Sequence, residues 1–280
     1  MKIYISIDME GIAGVAAGDH VLPGSSDYHR FRRLMTQEAN AAIQGAIDGG
    51  ATEIVVNDSH ASMTNLLIEE LHSEARLISG SNKPLLQMEG IDSSFDAVFL
   101  VGYHQREGGG DGVLNHTFMG KIVYDIRING QPVDEAITNA GIAGYYGVPV
   151  ALVTGDSAVC GHAGERLPGV VTAPVKEPLD RYASLSLTPE KAHQLIHDRA
   201  SRAVQNVRTG QIKPYQTKGP FTFEVDFKRT APALMATLLP NVERTGPRTI
   251  ALTDDDYLRA FKLFHACLLI GDKVFDGSLI

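Results

Sequence analysis

Three short apolar segments constrain the fold of this chain more than any other feature of its sequence. They cover residues 3–7, 54–56 and 97–101, and each has the length of a buried strand rather than of a helix. Apolar residues recur at helical spacing over residues 31–47, between the first two segments. A strand, a helix and a second strand in this order form a right-handed crossover, so the first two strands are predicted to be parallel and close in one sheet.

Turn and strand signals indicate further elements beyond the third segment. Asn129-Gly130 is a strong hairpin signal and lies within an alternating segment over residues 121–133. Residues 148–153 form another apolar run, which leads into a short predicted helix. The predicted fold class is therefore α/β, with a mostly parallel sheet flanked by helices and a second, smaller α+β domain.

The character of the sequence changes near residue 175. Pro189 begins an amphipathic helix, and residues 221–227 alternate as expected for a strand with one solvated face. For a chain of 280 residues, one large domain with a smaller one is the natural division. We predict a metal-binding α/β catalytic domain over residues 1–175 and a smaller α+β domain over residues 176–280, which packs against the first or supports an oligomer.

Composition excludes several functional classes. The formal net charge is -8 and Lys and Arg are not clustered, which argues against a nucleic-acid or membrane-surface partner. The only two cysteines, Cys160 and Cys267, cannot build a disulfide framework and fit a reducing compartment. The amino-terminal apolar run is only a strand long, so neither a signal peptide nor a membrane span is expected. The predicted location is cytoplasmic.

Each of the three apolar segments is followed by residues of the types that bind transition metals. Asp8 and Glu10 follow the first segment, His60 follows the second, and His104 follows the third. In an open parallel sheet, ligands bind outside the carboxyl ends of the strands, so these side chains are predicted to converge. Carboxylates packed closely together repel one another, and a shared divalent cation would remove that repulsion.

Each of these residues alone has a more ordinary explanation. An isolated carboxylate pair more often caps a helix or forms a salt bridge, and a single histidine after a strand is more often a hydrogen-bonded loop residue. Their combination after three strands favours a metal site, in which the neighbouring Asp58 could orient an imidazole ring. The other histidines are expected to be surface or loop residues: His20, His29, His72, His162, His193, His197 and His265.

Two further residues complete the candidate site. Glu135 would be a fifth ligand, although an acid at a helix start also suits the helix dipole, and Asp134 beside it could serve as well. His116 follows a glycine-rich loop at residues 108–110. If that loop lies over the metal site, His116 is a candidate general base or transition-state donor, and otherwise it is simply exposed.

Five motifs together resemble a known family. They are Asp8-Met9-Glu10-Gly11, Asn57-Asp58-Ser59-His60, Gly102-Tyr103-His104, His116 and Glu135. In this order and with this spacing they resemble the zinc-dependent D-aminopeptidases of the bacterial dipeptide-transport operon, and the resemblance covers nearly the whole chain.

The resemblance implies a binuclear site with two Zn²⁺ ions per subunit, for which Mn²⁺ or Co²⁺ can substitute. By this resemblance, Asp8 would bridge the two ions. Glu10 and His104 would complete one site, and His60 and Glu135 would complete the other.

The resemblance also implies a function and an assembly. His116 would be the catalytic side chain of an aminopeptidase that releases amino-terminal D-residues from short peptides, by means of a water molecule whose pKa the metal lowers. Family members form ring-shaped homodecamers whose active sites open on an inner chamber. The expected partners are therefore short peptides and further copies of this chain.

Two other functions stay open at this stage. A haloacid-dehalogenase-like phosphatase would use Asp8 as a phosphoaspartate nucleophile, and residues 271–276 faintly match a motif of that class. That function leaves His60 and His104 without a role. A metal-dependent peptide-binding protein without turnover would use the same ligands but would have no need for His116.

Overall fold

The structure is a computed structural model that describes residues 1–274, which form strands and helices in alternation. The strands are β1 (Lys2–Ile7), β2 (Glu53–Asp58), β3 (Ala75–Ile78), β4 (Ala97–Tyr103), β5 (Val123–Ile128), β6 (Gln131–Pro132), β7 (Val150–Asp156), β8 (Val171–Asp180), β9 (Ala183–Ser186), β10 (Phe221–Phe227), β11 (Val242–Arg244) and β12 (Thr249–Asp254). The α-helices are α1 (Gly18–Val21), α2 (Tyr28–Gly49), α3 (Glu135–Tyr145), α4 (Ser157–Arg166), α5 (Pro189–Arg208), α6 (Thr230–Ala236) and α7 (Tyr257–Val274). Short 3₁₀ turns cover Leu86–Met88 and Glu107–Gly109.

The first sheet has seven strands in the order β3-β2-β1-β4-β7-β8-β9. All neighbours in it are parallel except the edge strand β9, which is antiparallel to β8. Ile7, the last residue of β1, is level with Asp58 in β2 and with Val101 in β4. The carboxyl ends of these three strands therefore lie together at one edge of the sheet, as the crossover connection predicts.

Both faces of the first sheet are buried, which explains the continuous apolar runs of its central strands. In β4, Phe99 and Val101 belong to a core shared with α2 and α5, while Val98 and Leu100 belong to a core on the other face. The second core includes side chains of α3, of α7 and of the second sheet, such as Phe264 in α7. The first sheet thus lies between two layers and has no solvated face at its centre.

The second sheet has five strands in the order β11-β12-β10-β5-β6, and its neighbours are antiparallel. The strand predicted over residues 221–227 is its central strand β10, and the Asn129-Gly130 hairpin joins β5 to β6. Residue 175 lies within β8, and the second sheet combines strands from both sides of that position. The division into domains at this residue stays a prediction.

The sequence reading missed the edge strand β3. Three of its four residues are apolar, but the segment is short and none of the four is fully buried, so the local signal is weak. None of the described helices is long and apolar enough to cross a membrane.

Two buried charged side chains hold the loop that follows β1. Lys176 in β8 donates from Nζ to the carbonyl oxygens of Glu10, Ile12 (3.1 Å) and Val15 (2.7 Å). The Glu38 carboxylate in α2 accepts from the backbone amide of Ala13 at 2.8 Å. Both side chains are buried, so buried groups that are distant in sequence fix the loop that carries Glu10.

Glu38 gives the stability of the fold a specific pH dependence. Burial raises the pKa of its carboxyl from 4.5 to about 7, although the Ala13 amide and Lys176 act in the opposite direction. Between these values the folded protein keeps a proton that the unfolded chain releases, so this residue makes the fold less stable as the pH rises through about 7.

We therefore expect Glu38→Gln to remove the pH dependence that the Glu38 carboxyl gives to the stability. The unfolding free energy of the variant should decline less than that of the wild type as the pH rises. The difference in decline should be on the order of 3 kcal/mol, since each pKa unit corresponds to about 1.4 kcal/mol. Urea denaturation followed by circular dichroism at several pH values measures it. Glu69→Gln, at an exposed glutamate, is the matched control. A Glu38→Gln variant with the wild-type slope would contradict the assignment.

Candidate metal centre

The candidate site lies at the edge where β1, β2 and β4 end. Asp8 and Glu10 follow β1, His60 follows β2, and His104 follows β4. Glu135 is the first residue of α3. The structure therefore brings the five predicted ligands to one place, and all five side chains are buried.

A close approach of two backbone segments lets Asp8 and Glu10 face the same space. The chain leaves strand geometry after Asp8, and the amide of Gly11 donates to the carbonyl of Gly102 at 2.8 Å. A Cβ atom on residue 11 would lie 2.0 Å from the carbonyl oxygen of Tyr103, so only glycine fits there. The bend that the sequence pattern requires thus has a direct structural basis.

Asp8 lies between the two imidazole rings. His60 Nδ1 is 3.3 Å from Asp8 Oδ1 and 2.9 Å from Glu10 Oε2. His104 Nε2 is 3.5 Å from Asp8 Oδ2 and 3.7 Å from Glu135 Oε1. Each imidazole therefore faces two carboxylates, and Asp8 is common to both pairs.

Backbone carbonyls fix which nitrogen of each ring carries a proton. His60 Nε2 lies 2.9 Å from the carbonyl oxygen of Val21, and His104 Nδ1 lies 3.0 Å from that of Gln105. A carbonyl oxygen only accepts, so both of these nitrogens must be N–H donors. In a neutral ring the other nitrogen then directs its lone pair at carboxylate oxygens, which is repulsive. Either a second ring proton or a metal cation between the two atoms removes this repulsion.

The donor atoms fit a transition metal. His104 Nε2 is buried and receives no hydrogen bond from any residue that the structure describes. Candidate ligand atoms lie within 4.8 Å of one another in two groups, one formed by Asp8, Glu10 and His104 and the other by His104, His116 and Glu135. Imidazole nitrogens mixed with carboxylate oxygens are the ligand set typical of zinc and similar ions.

The charges in the cluster shift its proton affinities strongly. Burial alone would lower the pKa of His60, but Glu10 and Asp8 raise it well above its usual value. For His104 burial is likewise outweighed, by Asp8 and then Glu135, and its pKa rises to about 10. The pKa of Glu10 lies well below the usual range because His60 and the other imidazoles outweigh its burial. A divalent cation would take the place of the protons that this cluster attracts.

Glu135 is held by a network that the sequence reading missed. Its Oε1 accepts from the Phe118 amide at 2.6 Å, and its Oε2 accepts from Gln87 Nε2. Burial raises the pKa of Glu135 to about 7, although His104 acts in the opposite direction. Gln87 in turn accepts from Asn139 Nδ2 at 2.6 Å. No motif marks Gln87, because its role depends on contacts across 48 residues of sequence.

His116 lies inside the site rather than in solvent. Its ring stacks on that of His104 with centroids 4.3 Å apart, and its Nε2 is 3.9 Å from Glu10 Oε1. Its Nδ1 donates to the carbonyl of Leu114 at 2.7 Å, which leaves Nε2 facing the cluster. Burial, followed by the neighbouring His104, lowers the pKa of His116 to about 4. A neutral ring with a free Nε2 can accept a proton or a hydrogen bond.

The loop that carries His116 is fixed by a remote arginine that the sequence reading also missed. Arg181 lies in the turn between β8 and β9, and its guanidinium donates to the carbonyl oxygen and side chain of Asn115. The Leu114 amide donates back to the carbonyl of Arg181 at 2.8 Å. Contacts of this kind cannot be read from sequence, because the partners are 66 residues apart.

Two acidic neighbours have structural roles. Asp58 was expected to orient a ligand ring, but its carboxylate accepts from the amides of Asn65 (2.5 Å) and Leu66 (2.7 Å), and the Val21 carbonyl orients His60 instead. Asp134 caps α3 by accepting from the Ile137 amide at 2.7 Å. It also pairs with His162 at 2.6 Å, and Glu135 rather than Asp134 lines the cavity of the candidate site.

A cavity of about 490 Å³ opens onto the cluster. Asp8, Glu10 and Glu135 line it. Apolar side chains form most of its walls, among them Val21, Leu22, Met63, Leu86, Phe118 and Leu268. The phosphatase alternative rested on Asp8 and on a faint motif match at residues 271–276, of which 271–274 end helix α7 and 275–276 lie outside the described residues.

A doubly covered parallel sheet with buried imidazoles and carboxylates at its strand ends defines an α/β protein with a candidate metal centre. Residues 1–266 match the model of the D-aminopeptidase family, and the chain belongs to that family. It is 40% identical to the D-aminopeptidase of Bacillus subtilis (strain 168) over 266 residues, and this alignment covers 94% of each chain.

A solved structure gives the same result. The Zn-dependent D-aminopeptidase DppA from Bacillus subtilis, described as a self-compartmentalizing protease, matches with a TM-score of 0.93 and 38% identity over 98% of each chain. The family resemblance and the fold class predicted from sequence are therefore confirmed.

The site geometry predicts which substitutions remove metal. We expect His104→Ala to weaken zinc binding by more than about 100-fold, because it removes a ligand and not merely a residue behind one. His60→Ala should act in the same way, whereas His116→Ala should keep zinc at the wild-type level. Elemental analysis of zinc-loaded, desalted protein measures the ion content, and circular dichroism checks folding. A folded His104→Ala protein with wild-type zinc content and affinity would contradict the ligand assignment.

Proposed function

We propose that this chain is a binuclear zinc aminopeptidase that releases amino-terminal D-residues from short peptides. The observation that carries the proposal is the arrangement of His60 and His104, each of which donates one N–H to a backbone carbonyl and directs the other nitrogen at carboxylates. Membership of the D-aminopeptidase family supports the reaction and its stereochemistry.

Asp8 is proposed as the ligand shared by two ions, because it is the one carboxylate in contact with both imidazoles. The grouping of Asp8, Glu10 and His104 within 4.8 Å supports Glu10 and His104 as the further ligands of one site. By the family resemblance, His60 and Glu135 would complete the other and would give up their present contacts with Glu10 and His104. The zinc-dependent relative supports zinc as the native metal, and Mn²⁺ or Co²⁺ can occupy such sites. When bound, the metal supplies a bound water of lowered pKa and polarises the scissile carbonyl.

His116 is proposed as the side chain that moves protons. Its Nδ1–H is held by the Leu114 carbonyl, so Nε2 is the atom that faces the reacting groups. From this position Nε2 can accept the proton of the attacking water and donate it to the departing amine. The stack on His104 and the hold of Arg181 on Asn115 fix the ring before substrate enters.

The cavity explains why only a terminal residue would be removed. Asp8, Glu10 and Glu135 line a cavity of about 490 Å³, and a space of this size would admit one end of a peptide chain. The free amine of that end would bind a metal ion or an acidic side chain of the site. The apolar walls suit small or apolar side chains, and their shape would select the D-configuration.

We further propose that the chain forms a ring-shaped homodecamer in the cytoplasm, with short peptides as its only other partners. The relative described as self-compartmentalizing supports assembly. The β8–β9 hairpin exposes Leu179, Tyr182 and Leu185, with 68%, 64% and 62% of their surface accessible, and such a patch is suited to burial between subunits. Light scattering on purified protein measures the number of subunits.

The activity is tested with a pair of chromogenic enantiomers. The zinc-loaded protein should release p-nitroaniline from D-alanyl p-nitroanilide much faster than from the L-isomer, chelation should abolish turnover, and added zinc should restore it. His116→Ala should retain zinc while kcat falls by about 100-fold to 10,000-fold. p-Nitrophenyl phosphate, the substrate of the phosphatase alternative, should not be turned over. Undiminished hydrolysis by the chelated protein would refute the proposal.

A further inference from the structure

One cationic side chain lines the cavity beside the candidate metal centre. Lys121 lines the same cavity as Asp8, Glu10 and Glu135, and among the described residues it is the only lysine or arginine to do so. Asp272, its ion-pair partner, lines the cavity as well. A cavity with metal ligands at one position and an ammonium group at another can bind a short ligand at two points.

The backbone fixes Lys121 relative to the reacting groups. It lies in the segment that also brings His116 and Phe118 to the cavity. The amides of Ile122 and Val123 both donate to the Met119 carbonyl at 2.9 Å, so the chain turns tightly around Lys121. A Cβ atom on Gly120 would be 2.7 Å from Cβ of His116, which shows how closely this segment packs on the proposed proton-transfer residue.

Asp272 in the last turn of α7 holds the ammonium group at the cavity. Its Oδ1 is 2.5 Å from Lys121 Nζ, and both residues line the cavity. The side chain of Lys121 remains 59% exposed, against 26% for that of Asp272. The contact is an ion pair that does not have hydrogen-bond geometry. A lysine ammonium has three N–H donors, which are available to a second anion.

We propose that Lys121, oriented by Asp272, binds the C-terminal carboxylate of the peptide whose amino end lies at the metal centre. This inference rests on the aminopeptidase function proposed above and narrows its substrate to short peptides with a free carboxyl terminus. An extended peptide spans at most about 3.6 Å per residue, so both ends lie in one small cavity only when the peptide is very short. Lys121 is thus a specificity-determining residue and takes no part in bond cleavage.

The experiment compares D-alanylglycine with D-alanylglycinamide, which differ only in the terminal charge. For the zinc-loaded wild type we expect kcat/KM to be about 10-fold higher for the free acid, the scale of one hydrogen bond to a charged group. Lys121→Met should raise KM for the acid by about 10-fold, leave kcat unchanged and have little effect on the amide. Lys121→Arg keeps the charge and should restore the preference, and Lys262→Met, at an exposed position of α7, is the matched control.

A binding measurement separates this inference from the proposed function. Isothermal titration calorimetry of zinc-loaded His116→Ala protein should give tighter binding of the acid than of the amide, and the added Lys121→Met change should remove the difference. Equal kcat/KM and equal affinity for the two peptides in proteins that contain Lys121 would overturn the role of Lys121 while leaving the peptidase intact. No hydrolysis by the wild type, with a Lys121-dependent preference for the acid in calorimetry, would instead refute the peptidase and keep the carboxylate subsite.

Discussion

The parallel register of three strands is the constraint on which the rest of this structure depends. Because β1, β2 and β4 end at the same level, residues separated by about fifty positions in sequence reach one point in space. A shift of one residue in either pairing would turn the side chains to the opposite face. The site therefore inherits its geometry from the sheet, whose two covered faces hold the register firmly.

Electrostatics then determines what this point in space can hold. Asp8, Glu10 and Glu135 are buried, and between them they contact two imidazole rings, those of His60 and His104. Buried carboxylates without a counter-charge raise the free energy of the folded state. Protonated imidazole rings of His60 and His104 balance part of that negative charge. A backbone carbonyl keeps each of the rings of His60, His104 and His116 in one orientation. Such a cluster is poised for cations, and the ion pair of Lys121 and Asp272 lines the same cavity.

The supporting residues come from parts of the chain that do not belong to the motifs. Lys176 holds the loop of Glu10, Gln87 holds Glu135, and Arg181 holds the loop of His116. Each is a long polar side chain that donates to backbone or carboxylate oxygens in a partly or fully buried setting. These contacts keep the ligands in place against their mutual repulsion, which is the condition for a preorganised site.

The sequence by itself determined the strands that carry the site, β1, β2 and β4, their parallel crossover and the chemical types at their ends, because apolar runs and helical spacing are local signals. Asp8, Glu10, His60, His104 and Glu135 could be named for this reason, and the start of α3 at Glu135 follows from its cap at Asp134. Only the tertiary structure decided that Val21 rather than Asp58 orients His60, that Gln87, Lys176 and Arg181 support the site, and that strands from both halves of the chain share one sheet. These are contacts between residues far apart in sequence, and such contacts leave no periodic pattern along the chain from which they could be predicted.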